Sequence, residues 1–321
     1  MKVFWFFFSK KNTLASFPGR SHTPRMTHVL TLVADRTATT LSDAVIARVR
    51  EAVGGAPPVI LSPPEAADIP CRGIPDAGLV EAALEGRPID AITTRARGRR
   101  KGLLVADMDS TIVTSETLDE MAAYAGLKDE IAAITKLSMN GEIDFAEALR
   151  RRVAMLKGLG LDALEQTWTQ TRLMPGARAL VATMRKHNAT TALVSGGFTW
   201  FTGRVAALVG FDVHRANVLL DDGARLTGAV AEPILDREAK LSALRELAAA
   251  RGLQISATLA VGDGANDLAM LREAGLGVAF RAKPIVAAEA RARVVHADLR
   301  ALLFAQGYKI AEIVDGDSGS V

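Results

Sequence analysis

The chain has 321 residues, of which 49% are hydrophobic and 23% charged, with a formal net charge of +3. This is an ordinary balance for a soluble globular protein, and the length allows one large domain or two smaller ones. A charge this small says little about partners, but there is no basic stripe of the kind nucleic-acid binding needs, so no nucleic-acid partner is expected. The single cysteine, Cys71, excludes an intrachain disulfide and fits a reducing, cytoplasmic setting.

Residues 1–25 are read as a leader, either a mis-assigned start or a disordered extension. The aromatic run Val3-Phe-Trp-Phe-Phe-Phe8 precedes Lys10-Lys11, the reverse of a signal peptide, and falls short of the roughly 20 apolar residues of a membrane span. No other segment is apolar enough to span, so no membrane partner is expected. Residues 28–34 read as a strand, 41–53 as a helix closing on Gly54-Gly55, 59–61 as a strand and 78–84 as a helix ending near Gly86. These make a small α/β unit over 26–94, without a cluster of ionisable groups that suggests chemistry. The run Arg95-Ala-Arg-Gly-Arg-Arg-Lys101 reads as a solvated basic linker.

From Gly102 the pattern changes. Three apolar strands, Gly102–Asp107, Thr190–Ser195 and Ala257–Asp263, each stop in polar or acidic residues. Uninterrupted apolar strands alternating with helical segments (177–187, 200–209, 239–251, 267–274) argue for a doubly wound α/β fold with a parallel sheet. Ligands in such folds sit outside the carboxyl ends of the strands, where all three polar clusters fall. Residues 115–174 carry four helical patterns (117–124, 128–137, 145–157, 161–171) and no strong strand, so they should form a helical cap over those ends. The domain is expected to run over 102–311, with a disordered tail at 312–321.

The chemistry concentrates at the strand ends. Asp107-Met-Asp109-Ser-Thr111 puts two carboxylates where an apolar strand gives out, which is costly unless a cation or substrate compensates them, although Asp-Ser-Thr is also good helix-capping chemistry. Gly262-Asp263-Gly264-Ala-Asn266-Asp267 closes another buried strand and opens a helix. Asp107, Asp109 and Asp263 together offer oxygen donors suited to a hard cation, Mg²⁺, without the Cys or His that zinc prefers. Ser195-Gly196-Gly197 can turn a hydroxyl and free amides toward an anion. Lys240, taken alone, reads as a surface lysine.

As a set, Asp107-x-Asp109-x-Thr111, Ser195-Gly196-Gly197, Lys240 and Gly262-Asp263-Gly264-x-Asn266-Asp267 resemble the four motifs of the haloacid dehalogenase superfamily of phosphatases, in order and rough spacing. Within it the chain is similar to the phosphoserine phosphatase family, a resemblance that extends to Glu116-Thr-Leu-Asp-Glu120, Met139-Asn-Gly141-x-x-x-Phe145, Leu149-Arg-Arg-Arg152-Val153 and Val194-Ser-Gly-Gly-Phe198. The resemblance implies a phosphatase domain with a Mg²⁺ cofactor held by Asp107, Asp263 and the backbone carbonyl of Asp109. It implies Asp107 as nucleophile, forming an aspartyl-phosphate, and Asp109 as general acid and base. Ser195, Gly196 and Lys240 would grip the phosphoryl group, with Asn266 and Asp267 orienting Lys240 and a metal-bound water.

Glu116 and Arg152 would take the amino and carboxylate groups of O-phosphoserine, and Met139 and Phe145 would form an apolar lid. The implied role is the last step of serine biosynthesis. Phosphohomoserine or another small amino-acid phosphate is the alternative substrate, since one acid and one base cannot size the side chain. A non-enzymatic ligand sensor of the same fold is disfavoured because Asp107 and Asp109 are both present. The N-terminal unit resembles small amino-acid-binding regulatory modules, with a stability or dimerisation element as the plainer reading; a homodimer stays open.

Overall fold

The computed structural model describes residues 25–139 and 142–315. Most of the expected leader, through residue 24, and the end of the expected tail, from residue 316, lie outside the described residues. The N-terminal unit begins with β1 (His28–Ala34) and α1 (Asp43–Ala52), the latter capped by Ser42, whose Oγ accepts the Val45 amide at 3.4 Å. It continues through β2 (Val59–Ser62), β3 (Ala66–Cys71), α2 (Ala77–Leu84) and β4 (Ile89–Arg95). The sheet order is β2-β3-β1-β4 with antiparallel ladders, the ferredoxin-like βαββαβ arrangement.

The sequence pattern picks out β1 and β2 but not β3 or β4. Asp68 in β3 and Asp90 in β4 interrupt the apolar rhythm, yet both are buried. They are buried because the connecting run and the second unit bring them partners. Arg99 donates to Asp68 Oδ1 at 2.9 Å, to Thr31 Oγ1 at 2.9 Å and to the Phe304 carbonyl at 3.2 Å. Asp90 accepts the amides of Val295 and Ala297, each at 2.8 Å, and of His296 at 3.1 Å. Arg300 pairs with Glu65. Within the run 95–101, Arg99 is therefore part of the seam between the units, while Arg95, Arg97, Gly98 and Arg100 are exposed as expected of a solvated linker. Arg100 also pairs with Glu312 at 2.6 Å and lies 4.2 Å over the Tyr308 ring. Hydrogen bonding of this kind is what lets charged side chains sit inside a fold.

The second unit starts with β5 (Leu103–Ala106) and leaves the sheet for α3 (Thr117–Tyr124), α4 (Lys128–Met139), α5 (Phe145–Met155) and α6 (Asp162–Gln170). It returns through α7 (Ala177–Lys186), β6 (Thr190–Phe198), α8 (Thr199–Val209) and β7 (Val213–Asn217). A hairpin of β8 (Leu219–Asp221) and β9 (Leu226–Val230) follows, then α9 (Arg237–Ala250), β10 (Thr258–Gly262) and α10 (Leu268–Glu273). The chain closes with β11 (Leu276–Phe280), α11 (Pro284–Glu289), β12 (Ala292–Val294) and α12 (Ala301–Ala305). The tail is ordered a little beyond the expected limit: Ile310–Glu312 form a short turn and the Val314 amide donates to Thr183 Oγ1 at 2.9 Å.

The six strands lie in the order β12-β11-β10-β5-β6-β7, all parallel. Every residue of β5 is buried because alternate side chains feed two different cores. Leu104 and Ala106 join Leu193, Val261 and Phe280 on the face covered by α7, α8 and α12. Leu103 and Val105 join Ala192, Val194 and Ala260 on the face covered by α9, α10 and α11. From β5 the chain winds outward through β6 and β7, then reverses and winds the other way from β10. The order changes direction between β5 and β10, and the crevice outside their carboxyl ends is the natural ligand position.

The helical insertion closes over that crevice. Its base is pinned where the Thr114 amide meets the Arg172 carbonyl at 2.9 Å and the Met174 amide meets that of Ile112 at 2.8 Å. The β8–β9 hairpin, which the pattern did not reveal, clamps it from the other side. Gly158 donates to Leu226, Leu226 to Leu159 and Leu161 to Ala224, at 2.8, 2.9 and 3.0 Å. Gly228 (φ +80°) makes this approach possible: a Cβ there would lie 2.8 Å from Lys157 Cβ.

Candidate active site

Asp107, Asp109, Glu116, Phe145, Arg152, Ser195, Gly196, Asp263 and Asn266 line one cleft of about 130 Å³ between the strand ends and the helical insertion. The structure thus brings together nine of the residues singled out from sequence. Lys240 and Asp267 stand immediately behind the cleft wall. Met139 closes α4, and the expectation for its side chain lies outside the described residues.

At the floor, Asp107 directly follows β5, and its amide continues the ladder to the Val261 carbonyl at 3.0 Å. One carboxylate oxygen accepts the Met108 amide at 2.7 Å and the other lies 2.8 Å from Lys240 Nζ. Lys240 is fully buried and also donates to Asp267 Oδ1 at 2.7 Å, while the Gly264 amide occupies Asp267 Oδ2 at 3.0 Å. Burial works against the charge of Lys240, but Asp107 and Asp267 outweigh it and hold the ammonium above the ordinary lysine range. Burial and the nearby Asp107 push the Asp267 carboxyl up, and Lys240 pulls it back. Lys240 therefore sits beneath Asp107 rather than facing the cleft, and Asn266 lines the cleft instead of orienting it. Gly262 leaves room for Asp267: a Cβ there would lie 2.3 Å from the Asp267 Cγ.

Asp109 occupies the wall nearer the insertion. Its Oδ1 accepts the Thr117 amide at 3.0 Å, so it caps the first turn of α3, while Oδ2 lies 3.5 Å from Ser195 Oγ. Burial, then the negative neighbours Glu116 and Asp107, push its carboxyl up to about 8. Asp263 accepts from Thr111 Oγ1 at 3.2 Å and is pushed up to about 6 by burial and by Asp107 and Glu116. The Gly197 amide donates to Ser195 Oγ at 2.9 Å, within the irregular last residues of β6.

Carboxylate oxygens of Asp107, Asp263 and Asp267 lie within 4.8 Å of one another. The donors are all oxygen, the site is buried, and Asp263 and Asp267 are held above their ordinary range by burial and by the nearby Asp107. That is a charge distribution suited to a small, hard divalent cation. The Asp109 carboxylate points elsewhere, toward Thr117 and Ser195.

Above the floor, Glu116 and Arg152 come from two different helices of the insertion. Glu116 is the N-cap residue of α3, but its side chain makes no cap bond; its Oε1 accepts Ser110 Oγ–H at 2.8 Å. Surrounding protein raises the Glu116 carboxyl, and the Ser110 bond opposes this. Arg152 is half-buried on α5, its Nε tied to the Ala148 carbonyl at 3.2 Å. Burial lowers it, and Asp119 and Glu116 act to raise it. Leu118, Phe145, Leu149 and Phe198 supply apolar wall.

The cleft also holds Lys283, which the sequence reading missed. It precedes Pro284 at the start of α11, and its amide donates to the Asp263 carbonyl at 3.2 Å. Its ammonium acts electrostatically on Glu116 and Asp263. The available signal was positional: Leu276–Phe280 is another apolar strand of the parallel sheet, and the loop after each such strand faces the same crevice. Among the described residues no helix is long and apolar enough to cross a membrane.

A family model of haloacid dehalogenase-like hydrolases matches residues 104–272. A probable phosphoserine phosphatase of Schizosaccharomyces pombe is 42% identical over 228 residues, covering 70% of this chain and 76% of that protein. The phosphoserine phosphatase of Streptomyces coelicolor is 41% identical over 238 residues, covering 74% of this chain but only 58% of the relative's own length. Among solved structures, a phospho-aspartyl intermediate analogue of phosphoserine phosphatase aligns with a TM-score of 0.60 and 37% identity, over 64% of this chain and 98% of that one.

Proposed function

The chain belongs to the haloacid dehalogenase-like hydrolases, and on that premise we propose that it hydrolyses O-phospho-L-serine to L-serine and phosphate, as the closing step of serine biosynthesis. The observation that carries the substrate is the placing of Glu116 and Arg152 in the cleft that holds Asp107 and Asp109. A zwitterionic amino acid needs one anion and one cation beside its phosphate site, and a guanidinium can hold both oxygens of a carboxylate.

Asp107 attacks phosphorus, forming an O–P bond as the bond to the serine oxygen breaks. Lys240 and the Met108 amide each hold one oxygen of the Asp107 carboxylate and fix its direction for that attack. Asp109, which retains its proton near neutrality, gives it to the departing serine oxygen. Water then attacks the aspartyl-phosphate, Asp109 takes the proton, and phosphate leaves with the Asp107 carboxylate restored. Ser195 and Gly196, in the last residues of β6, line the cleft where the phosphoryl oxygens are to be held. Asp107, Asp263 and Asp267, with the Asp109 carbonyl, are the residues to hold Mg²⁺, which when bound supplies positive charge to the phosphate and relieves the crowding of carboxylates. Phe145 and Leu118 limit the access of water from the insertion side.

The test is phosphate release from O-phospho-L-serine, O-phosphohomoserine and a sugar phosphate, with and without Mg²⁺. Mg²⁺-dependent release that favours phosphoserine, lost in Asp107→Asn and weakened by 10²-fold or so in Arg152→Ala, is expected. Full release by Asp107→Asn would sink the aspartyl-phosphate route. A better substrate of another class would sink the reading of Glu116 and Arg152.

A further inference from the structure

Ser110 has φ +53°, in the left-handed region where a residue with a Cβ is disfavoured and glycine is free. Its amide is bonded to the Ser115 carbonyl at 3.2 Å, and this geometry sends its hydroxyl across the loop to Glu116. Strained positions that persist without glycine are a guide to function when the side chain makes a specific contact. Here it makes one: among the described residues Ser110 Oγ–H is the only hydrogen-bond donor to the Glu116 carboxylate, at 2.8 Å. Glu116 itself makes no bond to the helix it caps, so the Ser110 hydroxyl is the hydrogen bond that sets its direction, with Lys283 acting on it through charge.

We infer that Ser110 is the positioning residue for substrate selection: its hydroxyl holds one oxygen of Glu116 and leaves the other directed at the substrate's ammonium group. The inference rests on the proposed reading of Glu116 as the ammonium partner. A freely rotating glutamate at the cleft mouth would have to be ordered at each binding event; the bond to Ser110 orders it beforehand. Selection for the amine therefore depends on a residue that never touches the substrate.

The substitution Ser110→Gly removes the hydroxyl and also relieves the backbone, so loss of folding cannot mimic the expected effect. Its melting temperature should hold within ~3 °C of wild type, the relief being offset by the greater freedom of glycine in the unfolded chain. The experiment compares kcat/KM for O-phospho-L-serine with that for 3-phosphooxypropionate, which is the same skeleton without the amine. In wild type the amine-bearing compound should be strongly preferred. In Ser110→Gly that preference should fall roughly tenfold, mainly through a higher KM for phosphoserine. Glu116→Gln should abolish most of the preference, and the double variant should be no worse than Glu116→Gln alone, because both changes act on one contact.

An equal loss on both substrates would overturn the inference by placing Ser110 in service of the Asp107–Asp109 loop. Multiplying losses in the double variant would overturn it too, since Ser110 would then act independently of Glu116. A wild-type enzyme indifferent to the amine would instead sink the underlying reading of Glu116.

Discussion

Replacing Lys240 with methionine should expose how much of this site is held by one ammonium group. The side chain is 1% exposed and lies 2.8 Å from Asp107 and 2.7 Å from Asp267, so its removal leaves two buried carboxylates facing each other without a cation. Breaking a buried ion pair from one side costs about 3–5 kcal/mol. For a domain of this size that is a fall in Tm of roughly 6–20 °C. The sign with pH follows from the carboxyls. Burial and Asp107 already raise Asp267, and removing Lys240 takes away what pulls it back, so stability is retained in acid and lost as pH increases through the raised range. The deficit against wild type should therefore be small at about pH 5 and largest near pH 8. Thermal melts by circular dichroism in a chelator, at both pH values, read this directly. Adding Asp267→Asn should recover part of the loss, because asparagine keeps an oxygen for the Gly264 amide while discarding one unpaired charge. A Lys240→Met protein that melts within ~2 °C of wild type at pH 8 would refute this account of the triad.

Two further expectations use the same structure. With Asp263 pushed up to about 6 and Asp109 to about 8, the metal-free fold holds protons that the unfolded chain would release in acid, so its stability declines as pH rises through that window. Mg²⁺ competes with protons for the Asp263 carboxylate, so the rise in Tm it produces should be larger at about pH 8 than at about pH 5.5; an equal rise at both would place the cation elsewhere. Across the seam between the units, Asp90→Ala strips the acceptor from the Val295, His296 and Ala297 amides. A loss of about 2–3 kcal/mol is expected, seen as a single transition lowered by roughly 5–10 °C, and a shift below ~1 °C would show that water replaces the carboxylate.

The catalytic unit was legible where one physical rule governed a segment. Gly102–Asp107 announces a doubly buried strand because all its side chains are apolar, and its ending in Asp-x-Asp announces chemistry. Lys240 was different. On sequence alone it is a helix lysine, and only resemblance assigned it a role; the fold then placed it under Asp107 instead of against open cleft. Strands β3 and β4 escaped because Asp68 and Asp90 sit at buried positions that make sense only with Arg99 and the 295–297 amides in place. The same blindness hid Arg99 within a basic linker. Lys283 and the Ser110 hydroxyl were missed for a related reason: their meaning lies in what they face across a loop, which no local pattern encodes.

The β8–β9 hairpin has a consequence for how this enzyme can change. It grips the turn that follows α5, and α5 carries Phe145 and Arg152. Gly228 lies outside the cleft, yet a Cβ there would come within 2.8 Å of Lys157 Cβ, just past the end of the helix proposed to hold the ligand. Drift in that ribbon would be read out as altered taste rather than lost activity, leaving Asp107 and its neighbours untouched. Searches for the origin of new preferences in relatives should therefore begin in a segment some seventy positions downstream of the helix it tunes.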